Sequence, residues 1–202
     1  PYIGVQHPSH FGQQEIVSAW GWPDLNDQWT FPGYEGHKIQ VVVYSAGDSV
    51  VLKLNGQIIG ETRTDKYIAV FEVSFRPGKL EAESYKGGQL IGTAQLNTPG
   101  TPASLHATLE GHDDDNIRFM TIEIHDAAGI RVANAADEVT LEVDGAELLG
   151  FGSGDPASTH NYSTPVAVPF NGRLLAVLRL TSSNATIRCR CPTTETACLN
   201  VC

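Results

Sequence analysis

The sequence predicts an all-β chain built as two consecutive β-sandwiches. Three observations carry this. Apolar residues alternate with polar ones at period two in segment after segment. Short Gly-, Asn- and Pro-centred turns separate those segments at regular intervals. No run of apolar residues recurs at i, i+3, i+4 and i+7 for long enough to form an amphipathic helix. Composition agrees: of 202 residues, 20 are Gly and 11 are Pro, which demands many turns.

The elements follow in order. Val50, Leu52 and Leu54 share one face of a strand. Leu54-Asn55-Gly56-Gln57 then reads as a hairpin, because Asn-Gly supplies the two positive-φ positions of a type I′ turn. Phe71, Val73 and Phe75 form a buried face opposite Glu72 and Ser74. Arg76-Pro77-Gly78 and Lys86-Gly87-Gly88 are turns. Further on, Met120, Ile122 and Ile124 alternate with Thr121, Glu123 and His125, which places His125 on an exposed polar face. Ala127-Ala128-Gly129 is a turn, and Val139, Leu141 and Val143 alternate with Thr140, Glu142 and Asp144. Leu174 to Leu180 is apolar at nearly every position and predicts a central strand buried on both faces.

Asn97-Thr98-Pro99-Gly100-Thr101-Pro102 is the best linker, since two prolines limit pairing and strand patterning restarts at Leu105. The expected domains are therefore residues 1–100 and 101–202, each large enough for its own core. Residues 1–36 differ from the rest: they are rich in aromatics, Pro and Gly and predict an irregular wrap on the first sandwich.

Charge narrows function. Asp and Glu number 23 against 13 Lys and Arg, a formal charge of −10, and the basic residues are scattered. Nucleic acid as a partner is excluded on this reading, because phosphate backbones need clustered cations. The longest wholly apolar stretch, Leu174 to Leu178, is far short of the roughly 20 residues of a membrane-spanning helix, so no membrane partner is expected. No charged-then-apolar leader is visible at the start.

Chemistry-bearing motifs are sparse. Gly152-Ser153-Gly154 lacks the strand–turn–helix context of a nucleophile elbow and has no Lys-Ser/Thr for a phosphate cradle, so it reads as a loop. The seven histidines form no His-x-x-x-His pair. Asp113-Asp114-Asp115 offers hard oxygens for Ca²⁺, but a solvated turn before Ile117 is the simpler reading. No metal and no cofactor is assigned. Carboxylates are plentiful, yet nothing marks a glycosidase-type pair, and no catalytic residue is assigned.

All four cysteines, Cys189, Cys191, Cys198 and Cys202, fall in the last fourteen residues. Their first spacing is too short for a zinc knuckle. A terminal hairpin with small buried thiols is the main expectation, and a cross-strand disulfide is the alternative in an oxidising compartment.

The strongest local signal is aromatic. Trp20, Trp22 and Trp29 lie within ten residues and are followed by Phe31 and Tyr34. Exposed, these rings would stack on sugar faces and form a carbohydrate-binding site. Buried, they would be a plug packing the irregular segment onto the sandwich.

The order of segments resembles a known family. Ser18-Ala-Trp-Gly-Trp-Pro-Asp24, Trp29-Thr-Phe-Pro-Gly-Tyr-Glu-Gly36, Val41-Val-Val-Tyr-Ser-Ala-Gly-Asp48 and Val51-Leu-Lys-Leu-Asn-Gly-Gln-Ile-Ile-Gly60 are similar to the first module behind the barrel of glycoside hydrolase family 2 β-galactosidases. Phe119-Met-Thr-Ile-Glu-Ile-His-Asp126, Leu149-Gly-Phe-Gly-Ser-Gly-Asp-Pro156 and Phe170-Asn-Gly-Arg-Leu-Leu-Ala-Val177 resemble the immunoglobulin-like domain that closes the same enzymes. The Cys-rich end departs from that pattern.

The resemblance implies two immunoglobulin-like sandwiches with no catalytic role, since the family's catalytic glutamates lie on the barrel. It implies a retaining glycoside hydrolase as the parent and that barrel as partner. The sandwiches would then be a support or an oligomer interface. The alternative role is a carbohydrate-binding module on Trp20, Trp22 and Trp29, with a β-galactoside or polysaccharide as ligand. A periplasmic or extracellular location follows from the same resemblance.

Overall fold

The computed structural model describes residues 1–14, 16, 21, 23–111 and 116–201, the last of these by its backbone. The chain divides into two compact units, Pro1–Thr98 and Pro99–Cys202. Each is an antiparallel two-sheet sandwich.

In the first unit, β1 (Tyr2–Val5), β2 (Lys38–Tyr44) and β5 (Ile68–Ser74) form one sheet in the order β1-β2-β5. The other sheet takes β3 (Ser49–Leu54), β4 (Gln57–Arg63), β6 (Lys79–Lys86) and β7 (Gln89–Asn97) in the order β4-β3-β6-β7. Inward positions alternate as the sequence predicts. Val50, Leu52 and Leu54 face Ile39, Val41, Val43, Phe71, Val73 and Phe75 in a single core. Asn55 (φ 52°) and Gly56 (φ 79°) make the two-residue turn between β3 and β4.

One expectation needs correction here. The first 36 residues are not wholly irregular, because Tyr2–Val5 is an edge strand paired with Val41–Tyr44. It is followed by a single 3₁₀ turn, Pro8–His10. Four residues are too few to show a periodic signal, and β1 exists because β2 offers it a hydrogen-bonding edge.

In the second unit, β8 (Pro102–Glu110), β9 (Ile117–Asp126), β11 (Ala146–Gly152) and β13 (Arg173–Leu180) assemble as β11-β13-β9-β8. The facing sheet is β12-β10-β14-β15, from β10 (Val139–Asp144), β12 (Val166–Ala167), β14 (Ala185–Arg190) and β15 (Ala197–Val201). Met120, Ile122, Ile124, Leu141, Phe151, Leu174, Ala176, Leu178, Ile187 and Cys189 fill the core between them.

The two units differ in their fourth strand, for a local reason. Asn55-Gly56 folds β4 back beside β3. Between β10 and β11 there is only Gly145, at φ 73°. One residue cannot close a hairpin, so the chain crosses to the other sheet and β11 pairs with β13. A Cβ at Gly145 would lie 2.8 Å from the Asn184 carbonyl oxygen, so the corner suits glycine on steric grounds as well.

The Leu174–Leu180 segment is central, between β9 and β11, but it is not buried on both faces. Leu174, Ala176 and Leu178 are in the core, whereas Leu175 is 45% exposed. The outer face of an antiparallel sandwich need not be covered, so outward apolar residues such as Leu175 stay accessible.

Candidate functional site

The aromatic segment was the leading candidate from sequence, and the structure separates its members. Trp29 is completely buried and Phe31 nearly so. Both rings meet Phe75 edge-on, at centroid distances of 5.0 and 5.4 Å. The Trp29 indole Nε1 donates to the Arg76 carbonyl oxygen at 2.9 Å. The Trp29 carbonyl in turn accepts from the Thr98 hydroxyl. These are core contacts of the first sandwich, and neither ring has a face free for a sugar. Trp20 and Trp22 lie outside the described residues.

Tyr34 is half-buried and belongs to a surface cluster. Its ring stands edge-on to His7 (5.3 Å) and to His37 (5.5 Å). His7 also packs on Phe31 (5.3 Å) and His10 (5.5 Å). Burial pushes the His7 imidazole below its ordinary pKa, the charge of His10 adds to this, and Asp24 opposes it. His10 Nδ1 bonds the Asp24 carboxylate, fastening the 3₁₀ turn to residues 23–26. That stretch is itself bridged to the sheet edge through Val5 and Asn26.

Beside this cluster lies a polar groove that sequence reasoning missed. One hollow of about 550 Å³ is lined by Gln6, Phe11, Gly12, Gln13, Gln14, Gln40 and Glu72. A second, of about 210 Å³, is lined by Gln6, His10, Gln13, Gln14 and Asp24. They share Gln6, Gln13 and Gln14. Its residues come from β2, β5 and the segment after β1, far apart in sequence, so no local motif announces it.

The second unit carries a charged cluster and an apolar hollow on its β11-β13-β9-β8 sheet. Glu123 accepts from Arg173 Nε at 2.7 Å and contacts His125 at 3.1 Å. Burial pushes the Glu123 carboxyl up, but these cationic partners outweigh it and hold the group below the usual carboxylate range. His125 is therefore not the exposed residue expected from alternation. It is half-buried, and its ring stacks on His106 with centroids 5.3 Å apart and planes at 4°. The hollow, about 360 Å³, is lined by Gly150, Gly152, Tyr162, Leu175 and Val177 among others.

The three described cysteines form no disulfide. Cys189 and Cys191 are buried free thiols and Cys198 is an exposed one. Cys189 pairs with Ala197 in the terminal hairpin, which turns Cys198 to the opposite face, beside Arg188. Burial pushes the Cys189 thiol up to about 12, so it stays protonated and inert. Cys202 and Asp113-Asp114-Asp115 lie outside the described residues. No group of three or more His, Cys, Asp or Glu among the described residues is arranged to hold a metal. No helix among them is long and apolar enough to cross a membrane.

Strand order, sheet pairing and two separate cores define the chain as a tandem of immunoglobulin-like sandwiches. Residues 104–199 match the glycoside hydrolase family 2 C-terminal domain 5, and residues 36–92 match a domain of unknown function (DUF4982). Over these matches the chain corresponds to a C-terminal region of glycoside hydrolase family 2 proteins. Beta-galactosidase BoGH2A of Bacteroides ovatus is 26% identical over 89% of this chain and 23% of its own length. A beta-glucuronidase of Formosa agariphila is 29% identical over 78% of this chain and 17% of its own. A family 2 member from Bacteroides cellulosilyticus superposes with a TM-score of 0.88 at 29% identity, over 100% of this chain and 28% of that one. The chain thus spans less than a third of the length of these relatives.

Proposed function

We propose that this chain is a non-catalytic part of a β-galactosidase-like glycoside hydrolase, and that its two sandwiches support the catalytic barrel or build an oligomer interface. One observation carries the reading: the whole chain corresponds to about a quarter of a family 2 enzyme. The described carboxylates favour it too. Glu83, Glu142 and Glu147 are engaged with Lys53, Arg190 and Arg179 on outer sheet faces rather than paired across a cleft. Hydrolysis of terminal β-galactosides, with retention, belongs to the parent, and a periplasmic or extracellular location fits the polysaccharide-degrading role of such enzymes.

The test is to assay the chain alone, and the parent with and without it, on a chromogenic β-galactoside. The chain alone should show no turnover above buffer. Deleting it from the parent should lower the parent's thermal midpoint or change its oligomeric state while leaving the catalytic glutamates in place. Turnover by the isolated chain, or a parent indifferent to its loss, would overturn the reading. The aromatic-cluster alternative finds no support at Trp29 and Phe31, whose rings are core residues.

A further inference from the structure

The groove of the first unit is an open polar hollow whose lining has the chemistry of a small-molecule site. Its floor is the cross-strand pair Gln40 and Glu72, on the outer face of the β1-β2-β5 sheet. Gln6 is held against that floor by its backbone N–H, which donates to the Gln40 carbonyl oxygen at 3.0 Å. The wall is the segment from His10 to Gln14, with Asp24 tied to His10. The floor is thus fixed by a ladder and the wall by a 3₁₀ turn, which is the preorganisation a binding site needs.

The side chains in it are largely unspent. Among the described residues, the amides of Gln6, Gln14 and Gln40 make no side-chain hydrogen bond, and Glu72 has no ion pair. Gln13 uses one N–H on the Ser9 carbonyl, at 2.8 Å, and keeps its oxygen. Planar amides and carboxylates present two donors or acceptors side by side, the spacing that grips two adjacent hydroxyls. Phe11 supplies an apolar wall beside them. The formal charge of the lining comes from Asp24 and Glu72; Lys38, whose Nζ stands 5.9 Å from the Phe11 ring centroid, offsets one of these charges, and the negative balance still disfavours phosphates, sulfates and uronates. The larger hollow falls within the roughly 300–1,000 Å³ typical of small-molecule sites.

We infer that this groove binds a neutral saccharide through Gln6, Gln14, Gln40 and Glu72, with Phe11 against the ring. The site is distinct from the aromatic cluster, whose described tryptophan is a core residue. It does not depend on the supporting role proposed above, which the deletion experiment tests separately.

The experiment is a two-dimensional ¹⁵N NMR titration of the full chain with lactose, β-1,4-galactotriose and xylotriose, with sodium glucuronate as the anionic control. The expected result is saturable shifts of glutamine side-chain NH₂ signals with at least one neutral sugar below about 10 mM, and none with glucuronate. The Gln40→Ala/Glu72→Ala double variant should weaken binding about tenfold or more, as expected when two hydrogen-bonding groups are removed. Gln14→Ala, on the wall and outside every strand, should weaken it several-fold and remain folded whatever the double variant does. No saturable response to any neutral sugar, or affinity unchanged in Gln14→Ala, would overturn the inference.

Discussion

Replacing Trp29 tests whether its ring is a structural member of the first sandwich or an instrument of recognition. The indole is fully buried, packs edge-on to Phe75 and donates to the Arg76 carbonyl. Truncation to Ala removes a large core side chain, at a cost of about 3–5 kcal/mol. Trp29→Phe is the sharper perturbation. It keeps an aromatic ring but removes the N–H that donates to the Arg76 carbonyl oxygen and leaves a small void, for a combined loss of about 2 kcal/mol. For a unit of this size that corresponds to a fall in thermal midpoint of roughly 8–16 °C. Equilibrium unfolding in guanidinium, followed by far-UV circular dichroism, reads the change directly. A loss of less than about 0.5 kcal/mol in Trp29→Phe, the range of ordinary surface substitutions, would refute the assignment of this ring to the core.

Three further outcomes follow from other parts of the molecule. Asp126 is buried; burial pushes its carboxyl up, but N–H donation from Gly100, Ile130 and Ala128, with the charge of His125 adding, holds it below the usual range. Its contribution is therefore present above the unfolded carboxylate range and is lost as pH falls through the folded value; Asp126→Asn should cost about 1–2 kcal/mol at neutral pH and flatten the acid limb of a stability–pH profile. At Gly47 a Cβ would lie 2.4 Å from the Tyr85 carbonyl oxygen and 2.5 Å from the Ser84 hydroxyl, so Gly47→Ala should destabilise by about 1–3 kcal/mol in a denaturant titration. Finally, iodoacetamide followed by peptide mapping should label Cys198 in the native protein and Cys189 and Cys191 only after unfolding, in keeping with their exposure.

Sequence made several strands legible where one face is buried, though not all: Lys79–Lys86 alternates in the same way and was not read from the sequence. Val50-Leu52-Leu54 and Met120-Ile122-Ile124 are core rows as alternation requires, because a one-residue slip would expose the whole row. Asn55-Gly56 was legible for an equally local reason, the positive φ its turn type needs. What stayed hidden depends on partners distant in the chain. Nothing near Trp29 says that its indole meets Phe75 and Arg76, so composition alone left platform and plug open. His125 lies on the outward face as read, but its half-burial comes from His106 across the ladder and from Glu123. The groove is the extreme case, since Gln13, Gln40 and Glu72 become neighbours only through the pairing of β2 with β5 and the fold-back of the first segment.

The contrast between the Asn55-Gly56 hairpin and the single-residue corner at Gly145 bears on how such a chain reaches its native state. Tandem sandwiches of similar size on one polypeptide risk trading equivalent strands as they fold, a common route to misassembled and swapped species. Here β4 and β11 occupy the same ordinal place in the two units but belong to opposite sheets. An exchange would require one of them to abandon its ladder partner and be threaded through a turn of the wrong length. Two small differences in loop chemistry thus make the halves non-interchangeable, a safeguard written into the connections rather than into the cores.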